Sequence, residues 1–92
     1  MIESFAGTDA EKIWNGEFSK RLESIKSVAF RKLAMVHAAH ALDDLKSPPG
    51  NRLEALQGDR KGQHSIRIND QFRVCFVWKD GNAYNVEITD YH

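Results

Sequence analysis

Ninety-two residues, 41% of them apolar, can build one core and no second, so residues 1–92 are expected to form a single domain. Thirteen Lys and Arg offset thirteen Asp and Glu, which excludes a strong attraction of the whole molecule to polyanions. A lone Cys75 excludes an internal disulfide and suits a reducing compartment, and no window approaches a membrane span, so a soluble, cytoplasmic protein is expected.

The opening "MIESFAGTDAEK" has no basic segment followed by an apolar one, so no targeting segment is expected. Within it, residues 2–5 have the pattern of a short strand. Thr8 and Glu11 stand at capping-box spacing, which predicts a helix that begins near Asp9, turns Ile13 and Trp14 inward and stops at Gly16. Residues 17–24 form an ambiguous joint. The longest periodic segment then puts Leu22, Ile25, Ala29, Leu33, Val36 and His40 on one helical face. Lys32 interrupts that stripe and is expected to run its stem along the core towards water. His37 and His40 have i,i+3 spacing, which suits either two metal ligands or helix packing. With no cysteine pair or carboxylate motif to complete a site, packing is the expected role, and neither metal nor cofactor is predicted. "SPPG" at 47–50 ends the helix, because proline lacks a backbone donor and disfavours helical geometry before it.

The connection "GNRLEALQGDRKGQ" is basic and long for so small a domain, the kind of segment that carries function or stays disordered, with room for a short strand or turn. Gly58 and Gly62 bracket Asp59, Arg60 and Lys61, and are expected to present those charges outward. From residue 46 to 79, Lys46, Arg52, Arg60, Lys61, Arg67, Arg73 and Lys79 outnumber Glu54, Asp59 and Asp70. Such a bias is either a solvated surface or an anion-binding face.

The remainder alternates as strands. Ile66 and Ile68, then Phe72, Val74, Phe76 and Trp78, then Tyr84, Val86 and Ile88 mark one apolar face, with turns at Asn69-Asp70 and Asp80-Gly81-Asn82. The predicted class is α+β: an antiparallel sheet with the N-terminal helices packed on one face. Matching the apolar faces sets Ile68 opposite Phe72, Arg67 opposite Arg73, Trp78 opposite Tyr84, Val74 opposite Ile88 and Gln71 opposite Tyr91. Like charges facing each other on a sheet are unfavourable. Arg67 and Arg73 therefore imply an anion between them, such as an RNA phosphate, or a nearby carboxylate such as Glu87; otherwise both extend into solvent.

The run "SPPGNRLEALQGDRKGQHSIRINDQFRVCFVW", with a last strand ending "VEITDYH", resembles the HigB toxins, a branch of the RelE-type toxins of bacterial toxin–antitoxin pairs. The resemblance implies a compact RelE-like fold and a metal-free, ribosome-dependent endoribonuclease that cuts mRNA in the decoding site. It also implies a HigA-type antitoxin bearing a helix-turn-helix, through which alone operator DNA would be contacted. By the same resemblance Arg73 corresponds to an arginine at the scissile phosphate, and Asp90, Tyr91 and His92 to terminal active-site residues. Gln57 stands where relatives can have a lysine, so Arg60 or Lys61 takes over its charge or the balance of contributions differs.

Cleavage by an internal hydroxyl needs a base, donors for the developing negative charge and an acid for the leaving 5′-oxygen. Histidine suits the acid role near neutral pH, which points to His92, with Asp90 projecting to the same side to orient it. Arg73 is the preferred transition-state cation, and Tyr91 either stacks on a base or packs at the strand end. Arg60, Lys61 and Arg67 are assigned to phosphate contacts, with Gln57 beside them. Cys75 is read as a packing residue. The competing expectation is a noncatalytic RNA- or protein-binding module on the same fold.

Overall fold

The computed structural model describes residues 1–90, and its centre is an antiparallel sheet in the order β1-β2-β3-β4, formed by Glu54–Ala55, His64–Arg67, Phe72–Lys79 and Asn82–Asp90. Period-two alternation sends Ile66, Ile68, Phe72, Val74 and Phe76 to one side, where all are buried. Helices α1, Asp9–Trp14, and α2, Lys26–Ala38, cover that side. Ala10 and Ile13 from α1 and Ala29, Leu33 and Val36 from α2 join the sheet residues in one apolar cluster. The expected α+β class and the placement of helices on one face are both found.

The long helix is shorter than its periodicity predicts. Leu22 and Leu42 lie in separate 3₁₀ turns, Lys20–Ile25 and Leu42–Lys46, and α2 stops where Ala39 takes extended backbone with ψ 134°. The cause is local: the Asp44 carboxylate accepts the backbone N–H groups of His40 and Ala41 at 2.9 and 3.1 Å, offering the chain an alternative to another helical turn. His37 remains in α2, its ring 5.1 Å from that of Trp14 and its Nδ1 accepting the Ile2 N–H at 3.2 Å. His40 lies beyond the helix and is exposed, so the i,i+3 pair does not share a helical face. The expected first strand reduces to two parallel bridges onto β4, Ile2 to Ala83 and Phe5 to Val86.

Register between β2 and β3 is as expected, with Ile66 opposite Val74 and Arg67 opposite Arg73. Along β3 and β4 it holds at only one end. Val74 faces Ile88 and Arg73 faces Thr89, but Trp78 faces Ala83 and Val77 faces Tyr84, with a shift between Cys75 and Val77. The extra residue is accommodated by Asn85, whose φ of 53° is the mark of a bulge. A bulge reverses side-chain parity, so Ala83 and Val86 both face the core, fully buried, and Tyr84 loses its expected core position. The hairpin itself closes on Asp80 and Gly81, both at positive φ, in the two-residue turn that matches strand twist.

Candidate active site

The face of the sheet away from the helices carries Ser65, Arg67, Arg73, Cys75, Glu87 and Thr89. It is not simply open to water, because Ser65 and Cys75 are fully buried there. The Arg73 side chain, only 13% exposed, lies over this face and is held from three directions. Its Nε donates to Ser65 Oγ at 2.9 Å, its Nη2 to the Arg52 carbonyl at 2.8 Å, and its Nη1 pairs with Glu54 Oε1 at 3.2 Å. A planar fork engaged at three nitrogens is fixed in both position and plane.

The Arg52 carbonyl is aimed by an unusual piece of backbone. Arg52 sits in the left-handed region, φ 46° and ψ 55°, at the end of the 3₁₀ turn Pro49–Asn51. Asn51 is fully buried and anchors that turn: its Oδ1 accepts from Lys32 Nζ at 2.6 Å, and its Nδ2 donates to the Leu45 and Ser47 carbonyls at 3.2 and 3.3 Å. Lys32 thus ends on an amide rather than in water. Burial, and after it the charges of Arg31 and Arg67, hold its ammonium below the usual lysine range. Nothing in the periodicity marked Asn51, Arg52 or Glu54, because "SPPGNR" carries only the local message that a helix has ended.

The facing arginines are resolved by carboxylates, though not by Glu87. Arg73 has Glu54, and Arg67 pairs with Asp70. Glu87 is taken by Arg60, which also donates to Gln63 Oε1 at 3.1 Å. Arg60 is therefore not presented outward as the bracketing glycines suggested. It folds back onto the sheet face, while Gln57, Asp59 and Lys61 around the 3₁₀ turn Gly58–Arg60 are exposed. In the β2–β3 turn, Asn69 Oδ1 accepts the backbone N–H groups of Gln71 and Phe72, both at 2.8 Å, and this sets Asp70 beside Arg67. Arg52, Arg67, Asn69, Asp70 and Arg73 line a cavity of about 230 Å³.

Asp90 closes β4 opposite Phe72 and accepts from Gln71 Nε2 at 3.1 Å. Since Arg73 faces Thr89, the strand end lies one residue from Arg73's cross-strand partner. Tyr91 and His92, assigned to the site from the sequence, lie outside the described residues. Burial pushes the Cys75 thiol up, outweighing the nearby arginines, so Cys75 stays protonated and packs instead of attacking. The assembled groups can hold an anion against fixed cations beside the end of β4.

Comparison with known proteins agrees with this architecture. The family model described as the RelE-like toxin of type II toxin–antitoxin system HigB matches residues 4–92. The chain is 53% identical over 87 residues to Toxin HigB-1 of Vibrio cholerae, covering 92% of each protein. It is 39% identical over 41 residues to Endoribonuclease HigB of Proteus vulgaris, 45% of each. Among solved structures, YafQ from E. coli superposes with a TM-score of 0.64 at 13% identity, over 98% of this chain and 91% of that one. YoeB in the YoeB–YefM complex of Staphylococcus aureus gives 0.57 at 16%, over 100% and 98%. These last two likenesses establish the RelE-like fold. On the family match and the extent of the Vibrio identity, the chain belongs to the HigB-like toxins, the RelE-like toxins of type II toxin–antitoxin systems.

Proposed function

We propose that the chain is a ribosome-dependent, metal-independent mRNA endoribonuclease of the cytoplasm, neutralised by a HigA-type helix-turn-helix antitoxin. The observation that carries this reading is the three-way clamp on Arg73 beside the end of β4. A guanidinium fixed before the reaction stabilises charge that develops at a defined point, with no reorganisation as the transition state forms. The similarity to a relative named as an endoribonuclease supports RNA as substrate, and a solved YoeB–YefM toxin–antitoxin complex supports a protein antitoxin.

In this reaction the ribose 2′-oxygen bonds to the adjacent phosphorus and loses its proton to a base. The bond from phosphorus to the 5′-oxygen breaks, leaving a cyclic phosphate and a 5′-hydroxyl. His92, as imidazolium, gives its proton to the leaving oxygen, and Asp90 orients it. Arg73 meets the charge on the phosphate. Tyr91 stacks on a base, and Gln57, Arg60, Lys61 and Arg67 hold the flanking backbone. The ribosome supplies the substrate in position, so that orientation lowers the barrier as well as chemistry.

The test is to map 5′-hydroxyl ends on mRNA in a translating extract with wild type and His92→Gln. Wild type is expected to create such ends only when ribosomes are present, with or without a chelator. His92→Gln is expected to bind antitoxin and melt like wild type while creating none. A noncatalytic module would inhibit translation with no new ends, and an active His92→Gln would remove the histidine from the acid role.

A further inference from the structure

The cavity lined by Arg52, Arg67, Asn69, Asp70 and Arg73 is more than the surroundings of Arg73. Arg73 lines it while held in its clamp. Two further arginines line it: Arg52, an exposed residue whose left-handed backbone sends its carbonyl to Arg73, and Arg67, half-buried and the cross-strand neighbour of Arg73. Glu54 pairs with Arg73, and Asp70 is the one carboxylate among the described residues that line the cavity. Asp70 pairs with Arg67, yet its side chain is 99% exposed, whereas Arg67 is 31% exposed. A pair with one member wholly in water contributes little to stability, so its carboxylate is readily exchanged for a stronger anion.

We propose that Arg52 and Arg67 form a second phosphate subsite, which holds a backbone phosphate next to the scissile one, and that the Asp70 carboxylate occupies the anion position until RNA displaces it. This rests on the endoribonuclease reading and adds to it a residue, Arg52, and a gate, Asp70. Guanidinium forks suit the oxygens of a phosphodiester, and two of them bracket one such group without reading the base. Asp70 then competes with substrate: it keeps the arginines from holding unrelated weak anions and lowers affinity for RNA that the ribosome has not positioned.

The experiment measures binding of an uncleavable 2′-O-methyl RNA heptamer by fluorescence anisotropy over a range of salt concentrations, alongside mRNA cleavage in the translating extract. Each phosphate contact to a single strand contributes about 0.7 to the slope of log affinity against log salt. Arg52→Gln and Arg67→Gln combined are expected to reduce the slope by about that amount and weaken binding about fivefold near 0.1 M salt, and each change alone by part of it, because the two bracket one phosphate. Arg52→Lys should recover part of the affinity, a rescue that a purely structural role for Arg52 would not give. Asp70→Asn is expected to tighten binding and steepen no slope, because it removes a competitor without adding a contact. Wild-type cleavage combined with unchanged affinity and slope in both glutamine variants overturns the subsite and leaves the endoribonuclease reading standing. Absence of cleavage by wild type overturns that reading, and with it RNA as the occupant.

Discussion

At the scale of single residues, Asn51 carries the heaviest structural duty relative to its legibility. Its amide is wholly buried and joins α2, through Lys32, to the carbonyls of Leu45 and Ser47, one position before the residue that clamps Arg73. Removing a buried hydrogen-bonding group costs the desolvation of each partner left behind. Asn51→Ala is expected to lower stability by about 2 kcal/mol in urea titration. It should also reduce cleavage more than this loss explains, because the Arg52 carbonyl would no longer be held against Arg73 Nη2. Equal losses of activity and folded fraction would make Asn51 a packing residue only. Strand parity set Arg73 opposite Arg67 and Thr89, where the structure has it. It did not show the clamp, because Arg52 and Glu54 meet Arg73 through the tertiary path of residues 49–55, and Ser65 joins them from β2.

Elements formed where their period was long and failed where one residue altered it. β3 and its pairing with β2 follow from alternation, and so does the end of β4 that brings Thr89 to Arg73. The bulge at Asn85 was invisible, since an inserted residue leaves composition unchanged while exchanging the two faces. Ala83 and Tyr84 consequently traded the positions expected of them. The end of α2 was obscured in the same way, by one carboxylate, Asp44, capping backbone groups four and three residues earlier. The bulge gives a direct prediction. Asn tolerates φ near 53° far better than a β-branched residue, so Asn85→Val is expected to cost about 1–2 kcal/mol and Asn85→Gly less than about 0.5 kcal/mol. Chemical denaturation of the two variants checks it, and equal stability would mean that the positive φ is not what the site demands.

Across the whole molecule, a net charge of zero conceals two faces with different electrostatic uses. On the sheet face Arg60, Arg67 and Arg73 are each met by a carboxylate, Glu87, Asp70 and Glu54, while on the helix side carboxylates fasten segments together. Asp9 in α1 accepts from Ser19 Oγ at 3.0 Å and from Arg21 Nε at 2.9 Å. Arg21 in turn lies 5.7 Å from the centre of the Phe72 ring and donates to the Ile88 carbonyl at 3.4 Å, beneath the strand end that bears Asp90. Burial opposes ionisation of Asp9, but the hydrogen bonds from Arg21 and Ser19 outweigh it and hold its carboxyl below the usual value. Asp44 is lowered too, by the backbone N–H groups of Ala41 and His40. Each group is the stronger acid in the folded chain, so the unfolded chain takes up protons first as pH falls. The stability these groups contribute is complete above the ordinary aspartate value near pH 4 and is lost as pH drops through the lower folded values. Wild-type denaturation midpoints are therefore expected to fall between about pH 4 and pH 2, and the slope should be shallower in Asp9→Asn and in Asp44→Asn, with additive effects because the two carboxylates share no partner. A wild-type midpoint that stays level over that range would show that neither carboxylate helps fasten the helices. With Asp9→Asn the loosening should also reach the end of β4, and cleavage at neutral pH should decline while Asp44→Asn leaves it near wild type.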